Sequence, residues 1–485
     1  MVKKQVAIIG MGVSGLAVLL ALSQLPDKLL EKIDITCFDD PKHFGRGIPF
    51  QEDSSTAWIN SPIDAISYDY HDMNDFQNWM EQKGLEADQS YVPRSIYGRY
   101  MTERAHDLLQ KLKANVIREK VTQLNYEPDS QKWNIGTSQR TIPTRFDEVH
   151  LTCGELPVLD PYHLQGNPNY IADPYPLKNL PKQPGKKDRI AIIGTGLASI
   201  DTLKWLLKNS QADLLAFSPS MTFPTVRILK KETIDWQFLT DTNKQKLFEE
   251  NSFNFKSLEN LFLSELQALG FQNWEETCRQ FLAEGIPGIS LSLAFPAQLF
   301  LLQQLASHLV DWLTDFWPQM TLSDRQYYKE NYGKAIINLR NPMPEEAGRL
   351  LIEATAQGRL QIIEAVTDIE AGNYGFVLKR EVGKELSVAT VINATGYHLK
   401  ESNVHQARTL IQQVIRDGLV QIDPEGGLSI LPHTGQVISP KYGILATLYA
   451  HGSLVNGVIY QNNSTIKIQQ MAERAIGNVI KKPTI

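Results

Sequence analysis

The chain has 485 residues, 42% of them hydrophobic, with a formal net charge of −6 and a sequence pI of about 6.0. This length suits about three domains, each able to bury a core. Because Lys and Arg are scattered rather than massed in one segment, the composition argues against nucleic acid as a partner.

Cysteine usage limits the chemistry further. The three cysteines, Cys37, Cys153 and Cys278, lie far apart and form no CxxC pair. This argues against a disulfide framework, a zinc site and a dithiol redox centre, and we expect no bound metal. Such usage fits a protein of the reducing cytoplasm.

The first predicted element is a buried strand, "VAIIG", followed by a glycine turn and a helix, "VSGLAVLLALSQL", that ends at Pro26. The segment "IDITCFDD" supplies the next strand. Strand, turn, helix and strand make the βαβ unit of a doubly wound parallel sheet. The uncharged run also mimics a signal peptide or a short membrane span, but neither requires GxGxxG spacing or a following strand that ends in acids.

The three glycines of this unit have separate physical roles. Gly10 allows the tight turn, Gly12 lets the backbone approach a pyrophosphate, and Gly15 permits close packing of helix on sheet. The phosphates are then expected at the helix N-terminus, where free N–H groups and the helix dipole stabilise an anion. Asp39, at the end of the second strand, is a suitable acceptor for ribose hydroxyls.

Between this βαβ unit and a second one that starts at "RIAIIG", the segments "VIREKVTQLNYEP" and "KWNIGTS" predict antiparallel strands. The Pro-rich stretch from Pro157 to Pro184 follows and is interpreted as a linker. Roughly residues 229–332 show helical periodicity with many aromatic residues, which indicates packing core. Strand signals then return in "LQIIEAVTDIE", "YGFVLKRE" and "ATVINATGYH", and the chain ends in a helix from about Asn463 to Ile480.

A second βαβ unit starts at "RIAIIG", continues as a helix through about Leu207 and closes with "ADLLAFS". Its turn carries Gly194, Gly196 and Ser199, so a small side chain replaces the third glycine. No acid follows its second strand. A missing acid removes the repulsion that excludes a 2′-phosphate, which favours NADPH over NADH.

The positive partner of such a phosphate is open. Arg227, Lys230 and Lys231 follow the second unit closely in sequence. Each is either a phosphate ligand or an ordinary solvated surface charge.

Several further motifs carry a family resemblance: "FGRGIPF", "AWINSP", "YVPRSIYGRY", "LTCGELP" and "INATGYH". Together with the two glycine units, they resemble the flavoproteins with two dinucleotide-binding domains, and among them the bacterial FAD/NAD(P)-binding proteins. These are similar in layout to the N-hydroxylating and flavin-containing monooxygenases. The resemblance implies an α/β fold of two Rossmann-like, doubly wound, three-layer domains with a helical insertion.

The resemblance also implies where each cofactor binds. FAD is expected in a discontinuous domain of residues 1–156 and 391–485, and NADPH, or less favourably NADH, in residues 188–390. Residues 157–187 link the two domains, and the helical insertion spans about residues 229–332. The positions that match the family's FAD site are Gly10, Gly12, Ser14, Gly15, Asp39, Arg46, Gly47, Asn60, Arg94, Tyr97, Val121, Cys153, Gly154, Thr395, Gly396 and Gly457. Those that match its nicotinamide site are Gly194, Gly196, Ser199 and Arg227.

Four residues depart from the family pattern at positions that concern the chemistry. Tyr460 and Gln461 stand where Trp and Glu are expected, and Pro219 stands where an arginine often follows the serine. A thiol at Cys153 replaces the usual threonine and is either reactive or, as a buried thiol, structural.

The expected function is that of an FAD-dependent oxidoreductase in which NAD(P)H reduces the flavin, followed by oxygen-dependent hydroxylation of a small molecule. The alternatives are a simple NAD(P)H:acceptor reductase and a flavin-binding sensor or scaffold without turnover. No catalytic base is identified. His398, after the second crossover motif, and Arg340, in "INLRNPMP", are the polar positions to examine first. No membrane partner is expected, and the oligomeric state stays open.

Overall fold

The computed structural model describes residues 3–87, 90–154, 156–181, 188–249, 253–372 and 375–481. The chain folds into two compact units. The first unit comprises Met1–Pro157 and Tyr397–Ile485, and the second comprises Val158–Gly396.

A six-stranded sheet forms the centre of the first unit. Lys4–Ile9 lies in its middle, because its last four residues are apolar and buried on both faces, as a central parallel strand requires. The outermost strand, Gln436–Ser439, runs antiparallel to its neighbour, and the other strands are parallel. In spatial order the strands are Gln436–Ser439, Gly443–Ala450, Glu148–Leu151, Lys4–Ile9, Ile33–Phe38 and Asn115–Ile117.

Helices cover this sheet. Val13–Ser23 is buried almost all round, and the terminal helix Thr465–Lys481 packs against it through Ile468, Ala472 and Ile476. An antiparallel hairpin, Val121–Glu127 with Lys132–Thr137, lies outside the sheet, as predicted. The helices are Val13–Ser23, Asp27–Leu30, Asp75–Gln82, Arg94–Leu112, Thr409–Arg416 and Thr465–Lys481, with 3-10 turns at Ile48–Phe50, Ile63–Ala65, Glu401–Gln406 and Gly452–Val455.

The second unit has its own five-stranded sheet, parallel throughout. In spatial order its strands are Leu360–Ile362, Asp213–Phe217, Arg189–Ile193, Thr390–Asn393 and Tyr170–Ile171. Phe217 and Ile193 join the buried cluster beneath an antiparallel three-stranded sheet. That smaller sheet consists of Val366–Gly372, Gly375–Arg380 and Leu386–Val388.

A helical segment lies where the insertion is predicted, but its helices run from Asp241–Glu249 to Glu345–Ala356, beyond the predicted end near residue 332. It packs around buried aromatic side chains such as Trp312, Phe316 and Tyr328. The helices of the second unit are Leu197–Asn209, Asp241–Glu249, Phe255–Ala268, Trp274–Phe281, Gly285–Ala294, Pro296–Phe316, Leu322–Tyr328, Lys334–Arg340 and Glu345–Ala356, with a π-helical turn at Lys329–Gly333 and 3-10 turns at Leu177–Asn179 and Trp317–Gln319.

Two predicted boundaries differ from the structure. Residues 158–181 are part of the second unit rather than a linker, because Tyr170–Ile171 extends its sheet and Leu164 is buried in its core. Residues 182–187 of that predicted linker lie outside the described residues. The predicted return to the first unit at residue 391 is also too early. Thr390–Asn393 pairs with Arg189–Ile193 in the second sheet, and the first unit resumes at Tyr397.

Within the described part of the chain, no single helix is long and apolar enough to cross a membrane. The pair Gly285–Ala294 and Pro296–Gln319 reaches the required apolar length only when taken together, and it bends by 105°.

Candidate cofactor site

A cleft of about 360 Å³ opens in the first unit where the strands Lys4–Ile9 and Ile33–Phe38 end. This is the edge at which open parallel sheets bind ligands, and the volume falls within the usual range for small-molecule sites. The residues that line it are Gly10, Gly12, Val13, Ser14, Asp39, Asp40, His43, Gly47, Ile48, Pro49, Phe50, Lys120, Thr152, Cys153, Gly154, Arg408, Ser453, Asn462, Asn463, Thr465 and Ile468.

The glycine loop has the geometry that the sequence predicts. Gly10 has a φ of +103°, and a Cβ there would lie 2.7 Å from the Cα of Cys153. A Cβ on Gly15 would lie 2.0 Å from the carbonyl oxygen of Gly10, so helix and turn meet without room for a side chain. A Cβ on Gly12 would lie 3.2 Å from the Cα of Gly47. Glycine at these positions keeps the floor of the cleft flat.

The helix Val13–Ser23 begins at the cleft with free backbone donors. Its N-cap is Gly12, which has no side chain to bond the first N–H groups. Val13 and Ser14, at its first turn, line the cleft. These donors and the positive end of the helix dipole suit a pyrophosphate.

Asp39 lines the cleft and also holds the glycine loop in place through hydrogen bonds. Its Oδ2 accepts a hydrogen bond from the backbone N–H of Met11 at 2.7 Å, and its Oδ1 accepts one from Asp40 N–H at 2.7 Å. Burial raises the pKa of this carboxyl, although the two N–H donors oppose the rise. A carboxylate has further lone pairs, so Asp39 holds the loop and can still accept from a ribose.

Two buried polar atoms at the cleft have no protein partner among the described residues. They are Nδ1 of His43 and Oδ1 of Asn462. Buried polar atoms are almost always paired in folded proteins, so these two indicate a polar ligand or bound water. The flat glycine floor, the uncapped helix and these two atoms fit the phosphates and polar ring edges of FAD.

Other residues that match the family's FAD site support the cleft from behind. Gly98 lies against the floor segment, because a Cβ there would come within 2.0 Å of the Phe50 carbonyl oxygen. The Tyr97 ring packs on Phe50 with centroids 4.8 Å apart, and Nε of Arg94 donates to the Trp58 carbonyl. Arg46 bonds Glu52 and the Lys42 carbonyl. Those predicted residues of the first unit that do not line the cleft are Gly15, Arg46, Asn60, Arg94, Tyr97, Val121 and Gly457.

The crossover segment "LTCGELP" contributes a wall of the cleft. Thr152 donates to the carbonyls of Ile9 and Gly10, which ties this wall to the glycine loop. Cys153 and Gly154 line the cleft, and Cys153 is buried.

The second unit repeats the glycine turn. Gly194 has a φ of +120°, and a Cβ there would lie 2.8 Å from the Ala394 carbonyl oxygen. A Cβ on Gly196 would meet nothing within 4 Å, so the space beside this glycine is open. Ser199 is fully buried, and its Oγ has no partner among the described residues. A small side chain therefore fits at the third position, as predicted.

A pocket of about 270 Å³ lies where the strand Asp213–Phe217 ends. This is where a Rossmann unit holds the adenosine ribose. Its lining includes Ser218, Pro219 and two carboxylates, Glu284 and Glu364, which come from distant parts of the chain. Arg227 is not part of this lining. Its backbone N–H donates to the Met343 carbonyl.

Four predicted positions do not line the cleft of the first unit. Thr395 and Gly396 belong to the second unit, directly after Ala394, which faces Gly194. His398 is exposed and does not line the cleft of the first unit, and its backbone bonds Pro157 and Asn403. Arg340 ends a helix of the second unit. Burial lowers its pKa, and its Nε has no partner among the described residues, which does not match an exposed ion pair.

Several lining residues are not predicted from the sequence. Lys120 precedes a predicted position by one residue, and Asn462 and Asn463 directly follow Gln461. Arg408 comes from the segment before the helix Thr409–Arg416, and no motif marks it. The first three could be predicted from the sequence because they adjoin a motif. Arg408 reaches the cleft only through the tertiary fold.

Known proteins share both the domain and the fold. Residues 7–156 match the family described as FAD-NAD(P)-binding. No curated protein matches the sequence. Solved structures that cover 99% of this chain include a cadaverine monooxygenase from Erwinia amylovora bound to FAD, with 13% identity, 95% of that chain covered and a TM-score of 0.62.

Two further similar structures are an L-lysine 6-monooxygenase from Pseudomonas syringae and an ornithine hydroxylase from Pseudomonas aeruginosa. Each has 12% identity and 99% of both chains covered, with TM-scores of 0.60 and 0.59. At such identities the likeness concerns the fold. The chain therefore shares the fold of these structures, with two Rossmann-type α/β units, and its residues 7–156 match the FAD-NAD(P)-binding family.

Proposed function

We propose that this protein is an FAD-dependent oxidoreductase in which NAD(P)H, held by the second unit, reduces FAD held in the cleft of the first unit. The further step is an oxygen-dependent hydroxylation of a small molecule. The observation that carries the proposal is the cleft itself, where a flat glycine floor meets an uncapped helix and two unpartnered buried polar atoms. FAD supplies the redox chemistry when bound, and the protein supplies binding and orientation.

The residues of the cleft divide this work. The turn at Gly10 and Gly12 presents backbone N–H groups to the pyrophosphate, and Asp39 accepts from the ribose. The terminal helix Thr465–Lys481 begins at the cleft, with Thr465 in the lining. Its N-terminal dipole would favour negative charge on a reduced flavin bound in the cleft. Asn462 and His43 offer polar contacts whose buried atoms otherwise remain unpaired.

Small aliphatic amines are the first substrates to test. The three similar structures carry the names of enzymes that act on cadaverine, lysine and ornithine. A shared fold does not transfer a substrate, so this class rests on analogy.

The experiment measures NADPH oxidation and oxygen uptake by FAD-loaded protein with cadaverine, lysine and ornithine in turn. We expect one amine to raise both rates and to yield a hydroxylated product by mass spectrometry. Rates that no amine changes, with all reducing equivalents recovered as hydrogen peroxide, would overturn amine hydroxylation and leave a simple NAD(P)H oxidoreductase.

A flavin sensor without turnover is the second candidate. Tyr460 and Gln461 replace the expected Trp and Glu, and the Gln461 amide bonds Tyr460 Oη at 3.3 Å rather than lining the cleft. The two carboxylates near Ser218 also disfavour a 2′-phosphate. Protein that holds FAD but is reduced by neither NADPH nor NADH would favour this candidate.

A further inference from the structure

Three polar side chains form a chain of hydrogen bonds inside the sheet of the first unit. His150 Nε2 lies 3.0 Å from Glu148 Oε1, and His150 Nδ1 lies 3.0 Å from His451 Nε2. At the other end, Lys4 Nζ donates to Glu148 Oε2 at 2.7 Å. Glu148, His150 and His451 are all buried, whereas the Lys4 side chain is 35% exposed. The row therefore runs from the surface into the core.

Such residues are costly at the centre of a parallel sheet. Val149 and Leu151, on the other face of the same strand, are the apolar residues expected there. Burying a carboxylate and two imidazoles is tolerable only if their hydrogen bonds are made. All ring and carboxylate atoms of this row have a partner except Nδ1 of His451, which has none among the described residues.

His451 precedes a glycine that contacts the lining of the cofactor cleft. His451 is followed by Gly452, whose φ is +66° and whose Cβ, if present, would lie 2.0 Å from Ser14 Oγ. Asn462 donates to the Gly452 carbonyl at 3.1 Å, and its own Oδ1 has no partner in the part of the chain that the structure describes. Ser14, Ser453 and Asn462 line the cleft. Gly452 thus connects His451 to three residues of the cleft lining, Ser14, Ser453 and Asn462.

Neighbouring side chains do not interrupt this chain of hydrogen bonds. The Tyr449 ring stacks on His150 with centroids 4.9 Å apart, but its hydroxyl donates to the Ala446 carbonyl. Glu148 therefore interacts electrostatically with His150 and with Lys4. The proton count of this row depends on the histidines and the carboxylate.

The row has two states that differ by one proton. In the first, His150 donates from Nε2 to Glu148 and accepts at Nδ1 from His451, which leaves a lone pair on His451 Nδ1. In the second, a proton has joined His451 Nδ1 while the proton on its Nε2 has moved to His150 Nδ1. His150 is then a cation beside the Glu148 carboxylate, and His451 presents an N–H. Adding one proton therefore reverses the polarity of the end near the cleft.

We propose that Glu148, His150 and His451 form a one-proton relay that takes up a proton when the flavin in the neighbouring cleft is reduced. The inference rests on the proposed function, since it requires FAD in that cleft. Hydride transfer brings two electrons and one proton, so the cleft gains one negative charge. The relay balances it with one proton from bulk water, stored on His150. These are positioning residues, because they act on the cleft through Gly452 and Asn462.

The test measures the midpoint potential of FAD bound to the full-length protein against pH, because this dependence counts the protons taken up per two electrons. We expect the unaltered protein to take up about one proton more than Glu148→Gln and His150→Gln near neutral pH. Asp147→Asn is the matched control. Asp147 precedes Glu148 and bonds Gln5 and Lys132 outside the row, so its removal leaves the proton count unchanged. Equal counts in all four proteins overturn the relay.

A second measurement uses the unaltered protein, so its result does not depend on whether a variant folds. Protein labelled with ¹⁵N-histidine and loaded with FAD is compared in its oxidised form and after reduction with dithionite. The relay predicts that one buried histidine, His150, changes from neutral to cationic ring-nitrogen shifts while His451 stays neutral and changes its tautomer, and an unchanged pattern overturns it. Full-length protein that takes up no FAD overturns the proposed function and the relay together, whereas FAD-loaded protein with an invariant proton count overturns the relay alone.

Discussion

Gly12 and Gly47 face each other across the floor of the cleft, so closely that a Cβ on Gly12 would lie 3.2 Å from the Cα of Gly47. Neither backbone can retreat freely, because Gly47 itself has a φ of +68° and its N–H donates to the His43 carbonyl. The two glycines thus keep the pyrophosphate position clear.

Gly12→Ala is expected to weaken FAD binding by about tenfold or more, which corresponds to about 1.4 kcal/mol. Alanine tolerates the φ of −83° at Gly12, and its methyl group meets the Gly47 backbone rather than the core, so the ligand-free protein is expected to lose less thermal stability than Gly10→Ala. Fluorescence titration with FAD measures the affinity. Gly477→Ala is the control, since a Cβ there meets nothing within 4 Å. Equal FAD affinity in Gly12→Ala and the unaltered protein would place the pyrophosphate elsewhere.

Gly10→Ala is expected to act on the fold rather than on the ligand alone. Its φ of +103° is unfavourable for alanine, and the Cβ would meet the Cys153 backbone at 2.7 Å. Strain and clash together cost about 3 kcal/mol of the free energy of unfolding. Denaturant unfolding of the ligand-free protein measures this loss. A ligand-free protein as stable as the unaltered chain would show that the turn relaxes, against this account.

The acidic pocket of the second unit gives a prediction about the nicotinamide cofactor. Glu284 and Glu364 line the pocket in which we propose that the adenosine ribose binds, so Glu284→Gln and Glu364→Gln each remove a charge that would repel a 2′-phosphate. We expect the ratio of kcat/KM for NADPH to that for NADH to rise about threefold per substitution, because exposed charges are screened. Glu353→Gln, which removes an exposed helix carboxylate bonded to Gln357, is the control. An unchanged ratio would mean that the ribose lies outside this pocket.

Arg408 supplies a positive charge to the cleft that no motif predicts. It lines the cleft, and its charge acts on Asp39. Arg408→Met keeps the length of the side chain and removes the charge, so we expect FAD to bind about tenfold more weakly. Arg416→Met removes an exposed ion pair with Asp417 and serves as the control. If both variants bind FAD alike, Arg408 does not contact the cofactor.

The buried histidine predicts a pH dependence of stability. Burial, with a smaller effect of His150, holds the pKa of His451 well below its usual value of 6.5. The unfolded chain binds a proton at His451 below that pH and the folded protein does not, so stability is lost as the pH falls through about 6.5. We expect a slope of about 1.4 kcal/mol per pH unit below it from this group.

The measurement is the Tm of the ligand-free protein from pH 7.5 down to about pH 5.5, a range in which histidines titrate. His451→Gln removes the titrating ring and is expected to flatten the slope. The exposed His71, replaced in His71→Gln, is the control. Parallel slopes in all three proteins would contradict the assignment.

Local rules predict much of this fold. The run "VAIIG" and the helix after it follow from apolar runs and glycine spacing, and Gly10, Gly12 and Gly15 have the geometry that their spacing implies. The insertion follows from helical periodicity. These features depend on residues that are close in sequence, so they can be predicted from the sequence alone.

Features that depend on distant residues are not predictable in this way. Arg408 and the two carboxylates of the second pocket reach their sites through the tertiary fold. The missing acid after "ADLLAFS" favours NADPH, yet Glu284 and Glu364 bring two carboxylates to this pocket from elsewhere in the chain. Tyr170–Ile171 is too short to show periodicity, and it is parallel pairing with Thr390–Asn393 that makes it a strand. Residues 158–181 of the Pro-rich segment are therefore part of the second unit rather than a linker.

The most direct test of the central claim is anaerobic titration of purified, FAD-supplemented protein with NADPH and with NADH, followed by visible absorbance. This account predicts a yellow protein with FAD bound in stoichiometric amount, whose flavin absorbance bleaches as one of the two nucleotides is added. Protein that stays colourless after incubation with FAD contradicts the account, because the cleft of the first unit would then not be a flavin site.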